Sequence, residues 1–229
     1  MIVRTVIRLL SRAYGKPPSR PRRDPVSELL LTILSQNTSD VNSDRTFETL
    51  QRRFPSWEQL AQADVTDIAD AIKSGGLSQI KAVRIKETLQ RIIVERGNLD
   101  LNFLADLPLD EAKEWLLRLP GVGPKTAACV LLFSLGRPAL PVDTHVQRVA
   151  RRLGLIGERV SAEQAQHLLE AVVPRKQVYK FHINMIVHGR RTCHARNPSC
   201  PVCVFRDICP SAPAFLAAYA ARRRGGQNT

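Results

Sequence analysis

Leu119-Pro120-Gly121-Val122-Gly123 lies between two stretches of helical patterning, Asp110 to Leu119 before it and Pro124 to Leu135 after it, the second stopping at Gly136. Glycine and proline interrupt both periodicities, so the five residues make a hairpin between two helices. Gly121 and Gly123 permit positive φ and close backbone approach, while Val122 between them can be pinned into the core. A turn of this kind beside a helix N-terminus offers successive backbone N–H groups to an anion such as a DNA phosphate. The same five residues would also serve as a plain helix–helix connection, and their neighbours decide between the two.

Lys125 follows Pro124 in the first turn of the second helix. The macrodipole there disfavours a cation and so favours the neutral amine that a nucleophile needs. An exposed lysine holding phosphate beside the turn is the alternative. Eighteen residues on, Pro141-Val142-Asp143-Thr144-His145 opens a helix running to about Leu153. Asp143 suits its N-cap. Capping and catalysis are compatible, because a carboxylate held by helix amides can stabilise positive charge nearby.

Further out, helix punctuation recurs and no stretch alternates long enough to demand a strand, so the expected class is all-α. Asp24-Pro25 reads as an N-cap with proline at the first helical position, followed by a helix from Val26 through Gln36, and Asp40 starts another. Ser56-Trp57-Glu58-Gln59 and Ser161-Ala162-Glu163-Gln164 fit the capping box. Gly75-Gly76 closes a short helix. Ser78 to Arg96 carries Ile80, Val83, Ile85, Leu89, Ile92 and Ile93 near helical spacing, with Gly97 as the stop. Pro17 to Arg23 reads as a linker and the segment after Ala221 as low-complexity tail.

The chain has 229 residues, 44% hydrophobic and 24% charged, which fits a folded protein and excludes disorder for most of it. A wholly apolar run such as Ala127 to Phe133 is far below the roughly 18 residues that span a bilayer. Thirty-four Lys and Arg against 21 Asp and Glu leave +13, largely as arginine, so a polyanion is the partner to test first. Between Met1 and Arg23 stand seven basic residues, Arg4, Arg8, Arg12, Lys16, Arg20, Arg22 and Arg23, with no acid, and Arg222-Arg223-Arg224 repeats the bias. An arginine-rich amphipathic start also fits a transit peptide, but Ile2, Val6, Leu9 and Leu10 read as one buried helix face. Arg4 and Arg8 interrupt the apolar residues that a secretory signal would need.

Four of the five cysteines, Cys193, Cys200, Cys203 and Cys209, form a C-x6-C-x2-C-x5-C pattern, and Cys129 stands apart as a core thiol. Such close spacing without a secretory signal points to metal before disulfides. Zinc and a [4Fe-4S] cluster both accept four thiolates, and spacing alone leaves the metal open.

Leu119 through Ala127, then Val142-Asp143-Thr144-His145-Val146, then the four-cysteine loop together make the sequence resemble the helix-hairpin-helix DNA glycosylases of the endonuclease III family, over residues 24 to 210. The resemblance implies two helical lobes with the active site in a cleft between them: a six-helix lobe over 25–135, and a lobe made of 1–24 with 136–212 closed by the cluster loop, leaving 213–229 as a basic tail. It implies a [4Fe-4S] cluster on Cys193, Cys200, Cys203 and Cys209, Lys125 as a Schiff-base nucleophile and Asp143 as its essential carboxylate. By the same resemblance Gln36, in Leu34-Ser35-Gln36-Asn37-Thr38, fills the hole left by a flipped base, and Leu77 wedges into the opposite strand. A core leucine beside a helix cap is the other reading of Leu77. Leu119, Gly121, Val122 and Gly123 meet DNA through the hairpin, and the cluster holds Arg190, Arg191, His194 and Arg196 against phosphates. Pro124, where many members carry a basic residue, and Asn37-Thr38 depart from the usual pattern, which bears on substrate range.

The implied activity is that of a bifunctional glycosylase and AP lyase: removal of a damaged base, an oxidised pyrimidine by expectation, and strand cleavage 3′ to the abasic site by β-elimination. The partner is then duplex DNA carrying a damaged base or an abasic site, met by a monomer, in the cytoplasm at the nucleoid if the source is prokaryotic. Two alternatives stand beside it: a mismatch thymine or uracil glycosylase of the same family, and a non-catalytic DNA-binding protein whose cysteines hold zinc.

Overall fold

A computed structural model describes residues 2–18 and 22–225. Ser19 to Pro21 of the expected linker, including Arg20, and the tail residues 226–229 lie outside the described residues, as do the side chains of Arg223 and Arg224. Among the described residues there is no strand, as the all-α reading requires. The α-helices are α1 (Ile2–Tyr14), α2 (Pro25–Leu34), α3 (Asp40–Arg53), α4 (Trp57–Gln62), α5 (Val65–Ala71), α6 (Ser78–Arg96), α7 (Leu109–Leu117), α8 (Pro124–Cys129), α9 (Thr144–Arg152), α10 (Ala162–Val172), α11 (Val178–Arg191) and α12 (Ala212–Gly225). No helix is long and apolar enough to cross a membrane among the described residues.

The chain divides into two compact units, Arg20–Pro141 and the pair Met1–Ser19 with Val142–Thr229. Compared with the boundaries expected from sequence, 22–24 and 136–141 fall with the continuous unit. Of the 213–229 segment expected as a tail, the described residues 213–225 are helical as part of α12, in keeping with the helix propensity of the repeated alanines.

In the continuous unit α2 is buried along its whole length. A helix apolar on every side belongs at the centre of a core, and Leu29, Leu30, Ile33 and Leu34 are wholly inaccessible there. Asp24 caps it by accepting from the Ser27 N–H at 2.9 Å. Leu50, Ile68, Ile85, Leu89 and Leu116 complete the core around it. Ala127 and Ala128 let α8 approach closely, and beyond Cys129 the helix widens into a π turn, Val130–Ser134, before Gly136 ends it at φ 65.

In the other unit α1 buries Val6 and Leu10 and packs on α11. Leu9 is half-buried, and Ile2, expected on the same buried face, is 42% exposed at the helix start. Gly189 of α11 comes so close to α9 that a Cβ there would lie 2.9 Å from the His145 Cβ. Ser161 and Gln164 form the full reciprocal capping box at the start of α10. At α4 only half of the expected box is made, with Ser56 Oγ accepting from the Gln59 N–H at 3.2 Å.

Candidate active site and nucleic-acid interface

The hairpin is built as a close turn held from behind. Val122 N–H donates to the Leu119 carbonyl at 3.2 Å, and Leu119 and Val122 are both buried. Gly121 takes φ +72, and a Cβ on it would sit 2.9 Å from Arg84 Cδ. Glycine is required there twice over, by conformation and by space. Gly123 departs from expectation: as the N-cap of α8 it has φ −99 and ψ 177, an extended conformation open to any residue. What glycine contributes at this position is clearance. A Cβ would meet nothing within 4 Å, and no side chain caps the first-turn amides of α8, so the backbone is left open to an anion.

Lys125 is the second residue of α8 and is half-buried, with Thr126 and the core thiol Cys129 buried beyond it. Gln36 stands beside the hairpin, its Nε2 donating to the Gly121 carbonyl at 3.3 Å while its Oε1 accepts from Arg84 Nη1 at 3.2 Å. Leu77 is 52% exposed in the left-handed region at φ 51, ψ 35. An exposed leucine in that conformation is neither a core residue nor a relaxed turn residue, and strain of this type persists where the surroundings enforce it. The core reading of Leu77 is thereby removed.

Asp143 and the cysteine loop belong to the other unit. Asp143 caps α9, its carboxylate accepting from the Val146 N–H at 2.7 Å. Burial lowers the pKa of neighbouring His145, opposed by the Asp143 carboxylate and reinforced by Arg148 and Arg190. Arg190, Arg191 and Arg196 are exposed at the end of α11 and in the loop after it, and His194 is half-buried.

Cys193, Cys200, Cys203 and Cys209 line one cavity together with Arg152, His188 and Phe205, and none of them is in a disulfide. Burial pushes the Cys203 thiol up to about 11, and the sulfurs of Cys193, Cys200 and Cys209 push it the same way. Among the described residues no three His, Cys, Asp or Glu side chains converge to hold a single metal ion.

Residues 30–175 match the HhH-GPD superfamily of base excision DNA repair proteins. The chain belongs to that superfamily. A putative DNA glycosylase of Arabidopsis thaliana is 38% identical over 162 residues, 71% of this chain and 55% of the plant protein. The chain thus spans about half the length of that relative. Endonuclease III of Thermotoga maritima is 36% identical over 193 residues, 84% of this chain and 86% of its own length. Two solved structures of endonuclease III on DNA, one a non-covalent complex and one a trapped covalent intermediate, superpose with a TM-score of 0.82 at 26% identity, covering 94% of this chain and 97% of theirs.

Several polar residues of this HhH-GPD chain that support the site escaped the sequence reading. Lys81, only 1% exposed, donates to the carbonyls of Leu34 at 2.7 Å and Gly75 at 3.0 Å. Thr88 Oγ1 donates to the Pro120 carbonyl at 2.8 Å. In the other unit Arg148 donates to the Cys193 and Gly189 carbonyls, each at 2.9 Å. Arg152 donates to the His194 and Ala195 carbonyls at 2.7 and 2.9 Å and to the Cys193 sulfur at 3.2 Å. These arginines pin the cysteine loop by its backbone. Their only trace in the sequence is a basic residue four apart on a helix, Arg148 and Arg152, which solvated arginines share.

Proposed function

We propose that this chain is a base-excision DNA glycosylase with AP lyase activity that acts through Lys125. The observation carrying the reading is a half-buried amine in the first turn of α8, directly after a hairpin whose open backbone suits a phosphate. A base inside a duplex is out of reach, so the nucleotide is extruded at a cost of a few kcal/mol, least for a damaged and weakly stacked base. The neutral Lys125 amine attacks C1′ of the sugar, and the bond from C1′ to the base breaks with the base leaving protonated. The C1′–O4′ bond then breaks, O4′ taking a proton from solvent, which leaves an iminium between C1′ and the Lys125 nitrogen. The Asp143 carboxylate, fixed by the Val146 N–H, stabilises the positive charge that develops. The iminium acidifies C2′, loss of a proton there expels the 3′ phosphate, and water then releases the lysine.

The cysteine cavity fits a cluster better than a single ion in this reading. Four sulfurs line it, their ionised forms repel one another, and bound metal relieves that repulsion while fixing the ligands. A [4Fe-4S] cluster held by Cys193, Cys200, Cys203 and Cys209 would cross-link the loop that displays His194 and Arg196 after the end of α11, where Arg190 and Arg191 stand. Purified protein should be brown with about four irons per chain, and Cys203→Ser should lose iron and loosen the loop. Stoichiometric zinc without iron after anaerobic preparation would refute the cluster.

The substrate class is oxidised pyrimidine. Duplexes carrying thymine glycol, dihydrouracil, uracil, mismatched thymine or an abasic site, each treated with borohydride during turnover, test the reading. Excision and trapping are expected on the first two and trapping on the abasic site. Selective action on mismatched thymine would move the protein to the mismatch branch, and tight binding without trapping on any duplex would make it a non-catalytic DNA-binding protein.

A further inference from the structure

One face of α6 carries Lys81, Arg84 and Thr88 at i, i+3 and i+7. Between them they reach three connections of the same unit. Lys81 donates to the Leu34 carbonyl in the last turn of α2, where a cation also meets the negative end of the macrodipole. It donates as well to the Gly75 carbonyl, which leads into Gly76 and Leu77. Thr38, from the segment that follows α2, donates its hydroxyl to that same Gly75 carbonyl. Arg84 holds the Gln36 side chain, and Thr88 holds the hairpin at Pro120.

The three connections share a further property. Each contains a residue in the left-handed region, Asn37 at φ 54, Leu77 at φ 51 and Gly121 at φ 72, and two of these are not glycine. Such conformations need fixed partners around them. Burying an ammonium is itself costly, and burial alone accounts for the lowered pKa of Lys81, with no charged neighbour contributing. An apolar residue would fill that volume more cheaply. What an apolar residue cannot do is satisfy the ends of two loops at once.

We propose that Lys81 is a positioning residue for base displacement, locking the Gln36 segment and the Leu77 segment into one rigid pair. The proposal rests on the reading that these two segments enter DNA. Filling the vacated stack and wedging the opposite strand then occur as a single event, because neither segment moves without the other.

Lys81→Met in the full chain, which removes the donors and keeps most of the stem, tests this by three measurements. Amide exchange in 35–39 and 74–77 should rise together by about tenfold or more. Fluorescence of 2-aminopurine beside the lesion should report reduced base displacement, and single-turnover excision should fall by about tenfold or more. Borohydride trapping at a preformed abasic site, where no base remains to be removed, should fall by less than about threefold. Exchange that rises in one segment only, or displacement at the parental level in folded Lys81→Met, overturns the proposal. Should Lys81→Met fail to fold, Thr38→Val decides instead: it removes one donor to the Gly75 carbonyl and should raise exchange in both segments, and parental exchange and displacement would overturn the proposal. A parent protein that displaces no base fails the functional reading itself, which the exchange measurement separates from failure of the Lys81 coupling.

Discussion

The two units differ most in charge. The unit formed by Met1–Ser19 and Val142–Thr229 holds eighteen Lys and Arg against five Asp and Glu, a net of +13, whereas Arg20–Pro141 holds sixteen of each and is neutral. The entire excess of the protein therefore resides in one unit. The neutral unit holds the hairpin, Lys125, Gln36 and Leu77, the parts proposed here to act at short range through backbone amides, shape and one amine. Attraction to a polyanion acts at long range and is screened by salt, so it can be supplied by a different part of the molecule from the chemistry. The charged unit contributes α1, on which Arg4, Arg8 and Arg12 are all exposed at four-residue spacing, together with Arg190, Arg191 and Arg196.

If that division is right, the largest effect comes from the neutral unit. Lys125→Ala should leave binding to undamaged duplex within about threefold of the parent and remove strand cleavage by about a thousandfold or more in single-turnover assays. Comparable losses of binding and cleavage would erase the distinction between the units.

Asp143→Asn sharpens the comparison, because Asp143 is an acid in the cationic unit. Asparagine caps nearly as well, so thermal stability should stay within about 1 kcal/mol of the parent. Base release should slow by about a hundredfold through loss of the carboxylate charge. Full activity would leave the residue as a cap and would make the neutral unit the sole source of the chemistry.

A smaller effect is expected from replacing Arg4, Arg8 and Arg12 together with Gln, a good helix former. If each meets a phosphate, the slope of log affinity against log salt for undamaged duplex should fall by about 2.7. A charge-matched replacement in the neutral unit, Arg91, Arg96 and Arg118 to Gln, should leave the slope unchanged. Equal changes in the two variants would mean that the duplex senses total charge and not one face.

What was legible in the sequence was the chemistry that is local in the chain. The Asp24 and Ser161 caps, the Asp143 cap, the stop at Gly97 and the hairpin all depend on residues a few positions apart, and the structure contains each of them. Faces of helices were less legible, because they depend on distant partners. Ile80 and Val83 fit the helical spacing of α6, yet they are 52% and 40% exposed, while Lys81 and Thr88 are buried. The face is set by the carbonyls of Leu34, Gly75 and Pro120, which no local pattern announces. The helix expected as far as Gln36 ends at Leu34, whose carbonyl accepts from the distant Lys81 ammonium. The charge division was also hidden, since the total of +13 is a property of the whole chain and the unit boundary at 141 and 142 is a property of the fold.

In the proposed reaction one amine of the neutral unit performs the covalent step. Reduction of the reacting complex with borohydride on a thymine glycol duplex, followed by nuclease digestion, proteolysis and mass spectrometry, identifies the amine directly. The adduct is predicted on the peptide containing Lys125, at that residue. An adduct on another lysine or on the N-terminal amine, with Lys125 unmodified, would contradict the account.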